Sequence, residues 1–230
     1  MTQAQKKYEF TGERKEGAGR TLHRIRRLDD RALGGWIESE KNLSHEGSCW
    51  VYGDAQVYGD ALVYDDAYVF GDAYVFGSAQ VYGDAQVYGS ARVYGDAQVD
   101  GEVWVYGSAQ VFGDAQVFGS ARVYGSVWVY GCAQVYGNAR VYGNARVYGD
   151  AYVFGNAVAT EPVEFFRLTR DAITVTDEHI AVGCELHLIT YWLRRGVIRK
   201  IGEHNGYPDK DIRLYTQAIK FAATLRGIKK

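Results

Sequence analysis

Cys184 and His187 are the side chains whose types and spacing come nearest to a reactive site. A thiolate and an imidazole three residues apart can both bind zinc, as in the segment Cys-Glu-Leu-His that they bound. One such pair is half of a tetrahedral site, which His179 or His204 would have to complete. No third group that would orient a nucleophile accompanies it. We favour a buried cysteine and a histidine that caps a helix beginning near Leu188, so that no metal site and no catalytic residue is assigned.

Acidic residues recur at intervals of eighteen residues and form a second candidate site. Asp60, Asp96, Asp114 and Asp150 belong to one such series, which Ser78 and Cys132 interrupt. If this series is stacked in space at about 5 Å, its carboxylates could bind calcium or imitate DNA phosphates. An aspartate in a tight turn more commonly bonds its own backbone. We therefore interpret the series as turn residues, with an acidic decoy of a nucleic-acid-binding protein as an alternative.

These acids are set in a six-residue repeat that runs without a break from Val51 to Val158. Eighteen hexads fit the consensus Val-Tyr-Gly-Asp-Ala-Gln, with Val at position one in all eighteen and Gly at position three in seventeen. A period of six does not match an amphipathic helix, whose period is about 3.6. Instead, Ala-x-Val-Tyr alternates as a strand does, and Gly-Asp turns the chain. The repeat therefore predicts an all-β solenoid.

The geometry of this solenoid follows from the alternation. Ala and Val point to one side of each short strand, whereas the variable residue and the aromatic residue point to the other. With three strands to a coil, eighteen hexads make about six triangular coils, which at about 4.8 Å each give a column about 29 Å long. The pattern predicts a parallel β-helix with stacked valine inside and alanine at its corners.

The hexads resemble those of left-handed β-helix proteins, the hexapeptide-repeat or trimeric-LpxA-like superfamily. The segment Leu33–Val51 is similar to the YdcK-like group, many of whose members are encoded by phages or prophages. Ile180–His187 is similar to the tail of that phage-associated branch. The resemblance implies a left-handed coil, whereas the general rule for crossovers would predict a right-handed one.

Acyltransferases of that superfamily generally use a histidine on a coil as a base and a loop extruded from the solenoid. Here no hexad carries an insertion, and all five histidines lie outside the hexads, at His23, His45, His179, His187 and His204. The γ-class carbonic anhydrases, which share the fold, need three histidines around zinc. These absences argue against an enzyme, and an acyl-CoA-dependent hexapeptide acyltransferase is kept as the alternative function.

Position two of the hexad is aromatic in seventeen of eighteen repeats and predicts three outward ladders, because every third hexad returns to the same side. Ladder one is Tyr58, Phe76, Tyr94, Phe112, Tyr130 and Tyr148. Ladder two is Tyr52, Phe70, Tyr88, Tyr106, Tyr124 and Tyr142. Ladder three is Tyr64, Tyr82, Asp100, Phe118, Tyr136 and Phe154.

The ladders are candidate binding surfaces. Stacked aromatic residues stabilise a parallel ladder by themselves, but exposed Tyr, Trp and Arg are also typical of interfaces. Ladder three holds the charge of Asp100 at its middle, and ladder one has none. We therefore expect the contact surface on ladder one, at Tyr94, Phe112, Tyr130 and Tyr148 with the neighbouring Trp128.

The segments on either side of the repeat read as caps, since a parallel stack exposes an unpaired strand edge at each end. Residues 1–50 predict a β cap with strands near Tyr8–Thr11 and Thr21–Leu28, a loop over Gly12–Gly19, and Trp36 and Trp50 set against the first coil. Residues 159–230 predict a small α+β cap or docking module. Its expected elements are a hairpin of Ile173–Thr176 and Ile180–Gly183 and helices over Leu188–Ile201 and Asp211–Leu225.

Composition limits the function classes further. The net charge is −2, divided as +2, −7 and +3 over residues 1–50, 51–158 and 159–230, so direct nucleic-acid binding is not expected. The three cysteines have no paired spacing that would predict disulfides. No apolar run approaches the roughly 18 residues of a membrane span, and the N-terminus lacks the apolar core of a signal peptide. We expect a soluble cytoplasmic protein without a membrane partner.

The sequence therefore predicts a non-catalytic β-solenoid scaffold that displays aromatic ladders to a protein partner or to further copies of itself. Proteins of the hexapeptide superfamily commonly form trimers. If this chain associates with itself, we therefore expect a trimer, or alternatively a dimer. The phage-like relatives suggest a target protein of the host. No cofactor is expected.

Because no coil supplies a base, the protein should neither bind acyl-coenzyme A nor acetylate an amine or hydroxyl acceptor. Titration calorimetry with acetyl-coenzyme A tests this expectation. Micromolar binding that His187→Ala or His45→Ala weakens would contradict it.

Overall fold

The computed structural model describes residues 6–228, which form a parallel β-solenoid of about seven turns between two terminal caps. Each hexad contributes a short strand, and the glycine that follows turns the chain onto the next of three faces. Among the hexads, successive strands of a face pair in parallel at an interval of eighteen residues, as Gln98 does with Gln116 and Val99 with Val117. The predicted fold class is confirmed, and the left-handed sense stays a prediction from the resemblance.

The three faces carry the three aromatic ladders and are numbered after them. The solenoid strands of face 1 are Leu33–Ile37, Gln56–Val57, Tyr74–Val75, Arg92–Val93, Gln110–Val111, Trp128–Val129 and Arg146–Val147. Those of face 2 are Trp50–Val51, Tyr68–Val69, Gln86–Val87, Trp104–Gly107, Arg122–Gly125, Arg140–Val141 and Val158–Ala159. Those of face 3 are Leu62–Val63, Gln80–Val81, Gln98–Val99, Gln116–Val117, Gln134–Val135 and Tyr152–Val153.

The additional turn is made by residues 33–51, which fold as a first coil. Ile37 pairs with Val57, Leu43 bridges Val63, and Trp50 pairs with Tyr68. A 3₁₀ helix at Glu40–Asn42 forms one of its corners. Two extra residues lie between Leu43 and Val51, and the segment has no aromatic–glycine pair, so the repeat pattern does not reveal it.

The core is one continuous column inside the coils. Every position-one valine is at most 1% exposed, and the alanines at position five are fully buried. Only a small side chain fits at a corner of so narrow a coil, which explains the alanine. At the first end Trp50, Tyr8 and Ile25 close the column, and at the last end Val163 does so together with Phe165.

The N-terminal cap is an antiparallel hairpin of Tyr8–Gly17 and Arg20–Arg27. Its second strand pairs with Leu33–Ile37, so the hairpin extends the sheet of face 1 beyond the first coil. The first strand continues to Gly17, because the glycine-rich segment predicted as a loop pairs with Arg20–His23. Because the hairpin pairs with Leu33–Ile37, the edge of the first coil on face 1 is unavailable to another chain.

The C-terminal cap is a four-stranded antiparallel sheet followed by three helices. The strands are Glu164–Arg167, Ala172–Val175, His179–Val182 and Glu185–Leu188, so the predicted hairpin forms the middle of this sheet. The helices are α1 (Ile189–Trp192), α2 (Val197–His204) and α3 (Asp209–Leu225). The single helix expected over Leu188–Ile201 is divided by Gly196, whose φ is 80°.

This cap joins the last coil mainly through side chains. The Tyr152 amide donates to the Thr174 hydroxyl at 3.0 Å, and the Thr160 amide donates to Asp177 Oδ2 at 2.9 Å. Its own core includes Ile173, Trp192, Tyr215 and Ile219. Among residues 6–228 there is no helix long and apolar enough to cross a membrane.

The repeat glycines stack backbone against backbone, which makes them sensitive to a side chain. A Cβ on Gly95 would lie 2.9 Å from the amide nitrogen of Gly113, whereas a Cβ on Gly53 would meet nothing closer than 3.9 Å. Both glycines have positive φ, of 73° and 60°. Asp65, with φ 55°, is the one hexad residue other than glycine in this region of backbone space within the part of the chain that is described.

Gly53→Ala should lower the free energy of unfolding by about 1–2 kcal/mol, the cost of a left-handed alanine. Gly95→Ala should lower this free energy further, because the next coil cannot move away without breaking the backbone hydrogen bonds that it makes with its neighbours. Urea unfolding followed by circular dichroism measures both losses. Equal losses in the two variants would contradict the close approach of the coils.

Candidate interaction surface

The Cys184–His187 segment does not form the arrangement that the sequence suggested. Cys184 is exposed in the turn Gly183-Cys184, so the expectation of a buried cysteine is wrong. His187 lies on a strand with Nε2 3.1 Å from Glu185 Oε2 and its ring 4.4 Å from that of Tyr191. The expected cap is also wrong, since Leu188 precedes α1 and no side chain bonds the helix end. The turn directs the cysteine outward because only two residues separate the paired strands.

His45 lies on the first coil, which the sequence pattern did not reveal. Its ring stacks on Tyr8 with centroids 4.3 Å apart, and its Nδ1 accepts a hydrogen bond from the Lys7 amide at 3.2 Å. Burial is the main cause that lowers the pKa of His45. Stacking and the bond to Lys7 give this histidine a structural role in fixing the start of the N-terminal hairpin.

The outward aromatic residues stack in the three ladders that the repeat predicts. In ladder one, Tyr94 and Phe112 have ring centroids 4.9 Å apart and planes within 1° of parallel, and Phe112 and Tyr130 are 5.1 Å apart. Ladder two continues through Tyr88 and Tyr106 at 4.8 Å. The coil spacing of about 4.8 Å matches the distance at which offset rings attract one another. The ladders therefore stabilise the solenoid as well as covering it.

The two ends of ladder one are covered to different degrees. Tyr58 is 9% exposed because Leu22 of the hairpin and Trp36 pack on it. Farther along, Tyr148 is 38% exposed and Trp128 is 39% exposed, with the Trp128 ring 6.4 Å from Phe112 in an edge contact. The uncovered part of face 1 therefore includes the residues that the sequence singled out.

Position six of the hexad forms a second outward row on each face, and it carries all four arginines of the repeat. Arg92 lies over Tyr74 at 5.7 Å, Arg122 over Trp104 at 4.7 Å and Arg146 over Trp128 at 4.9 Å. These cation–π contacts use the partner one coil earlier. Sequence analysis did not identify them, although the interval of eighteen residues was the available signal.

None of the four repeat arginines forms an ion pair within residues 6–228. The reason is visible in the sequence, because the turn residue two positions before each arginine is serine or asparagine. These turn residues are Ser90, Ser120, Asn138 and Asn144. These turn positions therefore offer no carboxylate to the neighbouring guanidinium groups.

Acidic residues are segregated from the arginines. Nine of the eleven acids in the repeat lie on face 3 or in the turns at its two edges, and face 3 has no arginine. The nine are Asp60, Asp65, Asp66, Asp84, Asp96, Asp100, Glu102, Asp114 and Asp150. Burial, followed by the charges of Asp100 and Asp65, raises the pKa of Tyr82 on this face. Lys41 of the first coil pairs with Asp60, and Arg167 of the C-terminal cap pairs with Asp150.

Comparison with known families identifies the repeat. A family model described as the YdcK beta solenoid repeat matches residues 55–69, 79–95, 85–101, 115–131 and 133–149. Over these residues the repeats of this chain are similar to the YdcK β-solenoid repeat. All five matches lie inside the hexad region, so the likeness to YdcK rests on the coils. No curated protein gives a significant match to the chain.

Within the described residues, no three His, Cys, Asp or Glu side chains are grouped closely enough to hold a metal ion. Zinc should therefore leave the melting temperature of the protein unchanged, and EDTA should do the same. Differential scanning fluorimetry with and without each reagent measures this. A zinc-dependent rise that Cys184→Ala removes would restore the Cys184–His187 pair as a metal site.

Proposed function

We propose that this protein is a non-catalytic β-solenoid that holds a rigid interaction surface on face 1. The observation that carries the proposal is the exposed pair of Trp128 and Arg146, stacked on each other and free of any ion pair within the described chain. Trp and Arg are the residue types that most often dominate binding energy at interfaces. Tyr94, Phe112 and Tyr130 continue the same surface along the ladder.

The rigidity of the coils makes such a surface effective. Each outward ring is held by its neighbours above and below, as Phe112 is by Tyr94 and Tyr130. Association therefore costs less side-chain entropy than it would for residues on a loop. The surface is flat and extended, which suits a protein partner better than a small molecule.

The partner we propose is a protein of the host cytoplasm. This rests on the resemblance of Leu33–Val51 and Ile180–His187 to phage-associated proteins, two segments to which the family model does not extend. The function proposed needs no cofactor and no nucleic acid. In this proposal the terminal segments cap the solenoid. The tail is also able to serve as a docking module through exposed residues of α3, such as Phe221 and Leu225.

The segregation of acids favours a second candidate function, that of an acidic decoy for a nucleic-acid-binding protein. Carboxylates in the turns beside face 3 recur at the coil spacing of about 4.8 Å, which is comparable in scale to the separation of phosphates on a nucleic-acid strand. Asp96 and Asp114 are adjacent members of one such row. A partner of this kind would be basic and its binding would weaken steeply with salt.

Two double variants test whether face 1 is the surface that binds the partner. Tyr94→Asp with Tyr130→Asp should weaken binding of the captured partner at least about hundredfold, because two charges enter a dry contact and two aromatic anchors are lost. Affinity capture from an extract of the natural host, followed by a binding titration with the purified partner, provides the measurement. Far-UV circular dichroism should remain that of a β protein.

Tyr82→Asp with Tyr136→Asp is the matched control, since it makes the same change in ladder three beside Asp100. It should leave binding on face 1 within a few-fold of the wild type. If this control is the more damaging pair, face 3 is the working surface and the decoy function is favoured. If both pairs are equally tolerated, the ladders serve only to stabilise the solenoid.

A further inference from the structure

We infer that face 2 is a self-complementary surface through which two copies of this chain associate with their solenoid axes antiparallel. The inference is independent of the partner proposed for face 1. It rests on the order of charges along face 2 and on the residue at its centre.

The first half of face 2 is bordered by acids. In the turns that precede its strands, Asp66, Asp84 and Glu102 follow one another at successive coils. Asp66 Oδ1 accepts a hydrogen bond from the Ser48 amide, and Asp84 forms no ion pair within residues 6–228. The position-six row beside these turns holds Tyr68 and Gln86, which are uncharged.

The second half of face 2 has the opposite character. Its position-six row holds Arg122 and Arg140, and the preceding turns hold Ser120, Asn138 and Asn156. These side chains line one shallow groove between the turns and the strands. The groove contains two arginines, and the carboxylate beside it is that of Glu102, whose Oε2 accepts a hydrogen bond from the Ser120 hydroxyl at 3.2 Å.

Trp104 lies between the two halves, on the fourth of the seven strands of this sheet. Consider a two-fold axis that lies in the plane of the interface and runs along this strand. It would place each strand of one copy opposite the strand of the second copy that lies equally far from Trp104 in the other direction along the solenoid. Trp104 and Tyr106 would then meet the same residues of the second copy, and Glu102, in the turn before this strand, would lie opposite itself at the rim of the contact. In most interfaces a few large aromatic side chains near the centre contribute most of the binding energy, and the residues around them exclude water.

The same operation places the charges of the two halves against each other. Arg122 would face Gln86 of the second copy and lie beside its Asp84. Arg140 would face Tyr68 and lie beside Asp66. Because an isologous interface repeats every contact, each pair occurs twice. Sheets pack about 10 Å apart, a distance that an arginine and an aspartate bridge together.

A parallel arrangement lacks this complementarity. With the two-fold axis along the solenoid, Arg122 would face Tyr124 of the second copy, and the adjoining turns Ser126 and Asn144 carry no negative charge. Face 3 holds acids alone, so two copies of it would repel each other. Charge order therefore favours face 2 over face 3, and the antiparallel arrangement over the parallel one.

The first experiment uses purified full-length protein and sedimentation velocity. The wild type should sediment as a dimer whose dissociation constant rises with salt. Arg122→Glu with Arg140→Glu and, in a separate protein, Asp66→Arg with Asp84→Arg should each raise this constant at least about hundredfold, since like charges then oppose each other across the axis. An equimolar mixture of the two variants should restore the dimer, because positions 122 and 140 of each copy then again oppose charges of the other sign at positions 84 and 66.

The matched control is Arg92→Glu with Arg146→Glu, which makes the same charge change on face 1. This variant should keep the wild-type dissociation constant. A monomeric or trimeric wild type overturns the inference, as does a control that is as disruptive as the face 2 variants. Failure of the two variants to associate with each other overturns it too. None of these results depends on whether face 1 has a partner.

Cross-linking tests the position of the axis without changing a charge. In a background with Cys132→Ser and Cys184→Ser, Tyr106→Cys should be joined to its counterpart in the second copy by a short bismaleimide reagent, because this position meets itself across the roughly 10 Å between packed sheets. Phe70→Cys lies two coils away and should remain monomeric on a non-reducing gel. Equal cross-linking at the two positions would contradict the antiparallel axis.

Discussion

The structure depends on hydrogen bonds between successive coils that keep each residue directly above its equivalent eighteen positions earlier. The Gln98 amide donates to the Ala115 carbonyl at 2.9 Å, and the Tyr94 amide donates to the Val111 carbonyl at 3.0 Å. With valine and alanine filling the interior, a coil has no spare space for an additional residue. An additional residue must therefore protrude from the column. The hexads contain no such insertion, and the two extra residues occur in the coil at the first end, residues 33–51.

The same constraint turns every outward position into a row of like residues. Aromatic residues benefit, since their rings stack at the coil spacing. Carboxylates do not, because successive charges about 5 Å apart repel one another. The repeat reduces this repulsion by placing Ser78 and Cys132 within the row of Asp60, Asp96, Asp114 and Asp150. Each row therefore has its own order of charged and uncharged residues, and the charge of each face follows from the rows that it carries.

Two different devices close the ends of the column. At the first end the sheet of face 1 is prolonged by an antiparallel hairpin, which uses its backbone groups directly. At the last end the strands of the cap form their own sheet, and side chains such as Thr174 and Asp177 satisfy the exposed amides. The second arrangement lets the tail fold around a separate core, which is compatible with a role beyond capping.

The amino-acid sequence by itself determined the solenoid, the inward valine and alanine, and the membership of each ladder, because a period of six without gaps permits one stacking register. It also contained the serine or asparagine before every repeat arginine. Tertiary structure alone decided that residues 33–51 form a coil, since Ile37 and Leu43 show their role only when paired with Val57 and Val63. It likewise decided that Cys184 is exposed and that His187 does not cap α1, because a two-residue turn between strands sets both orientations. Local patterns specify what recurs along this chain, whereas single residues at its ends depend on neighbours that are distant in sequence.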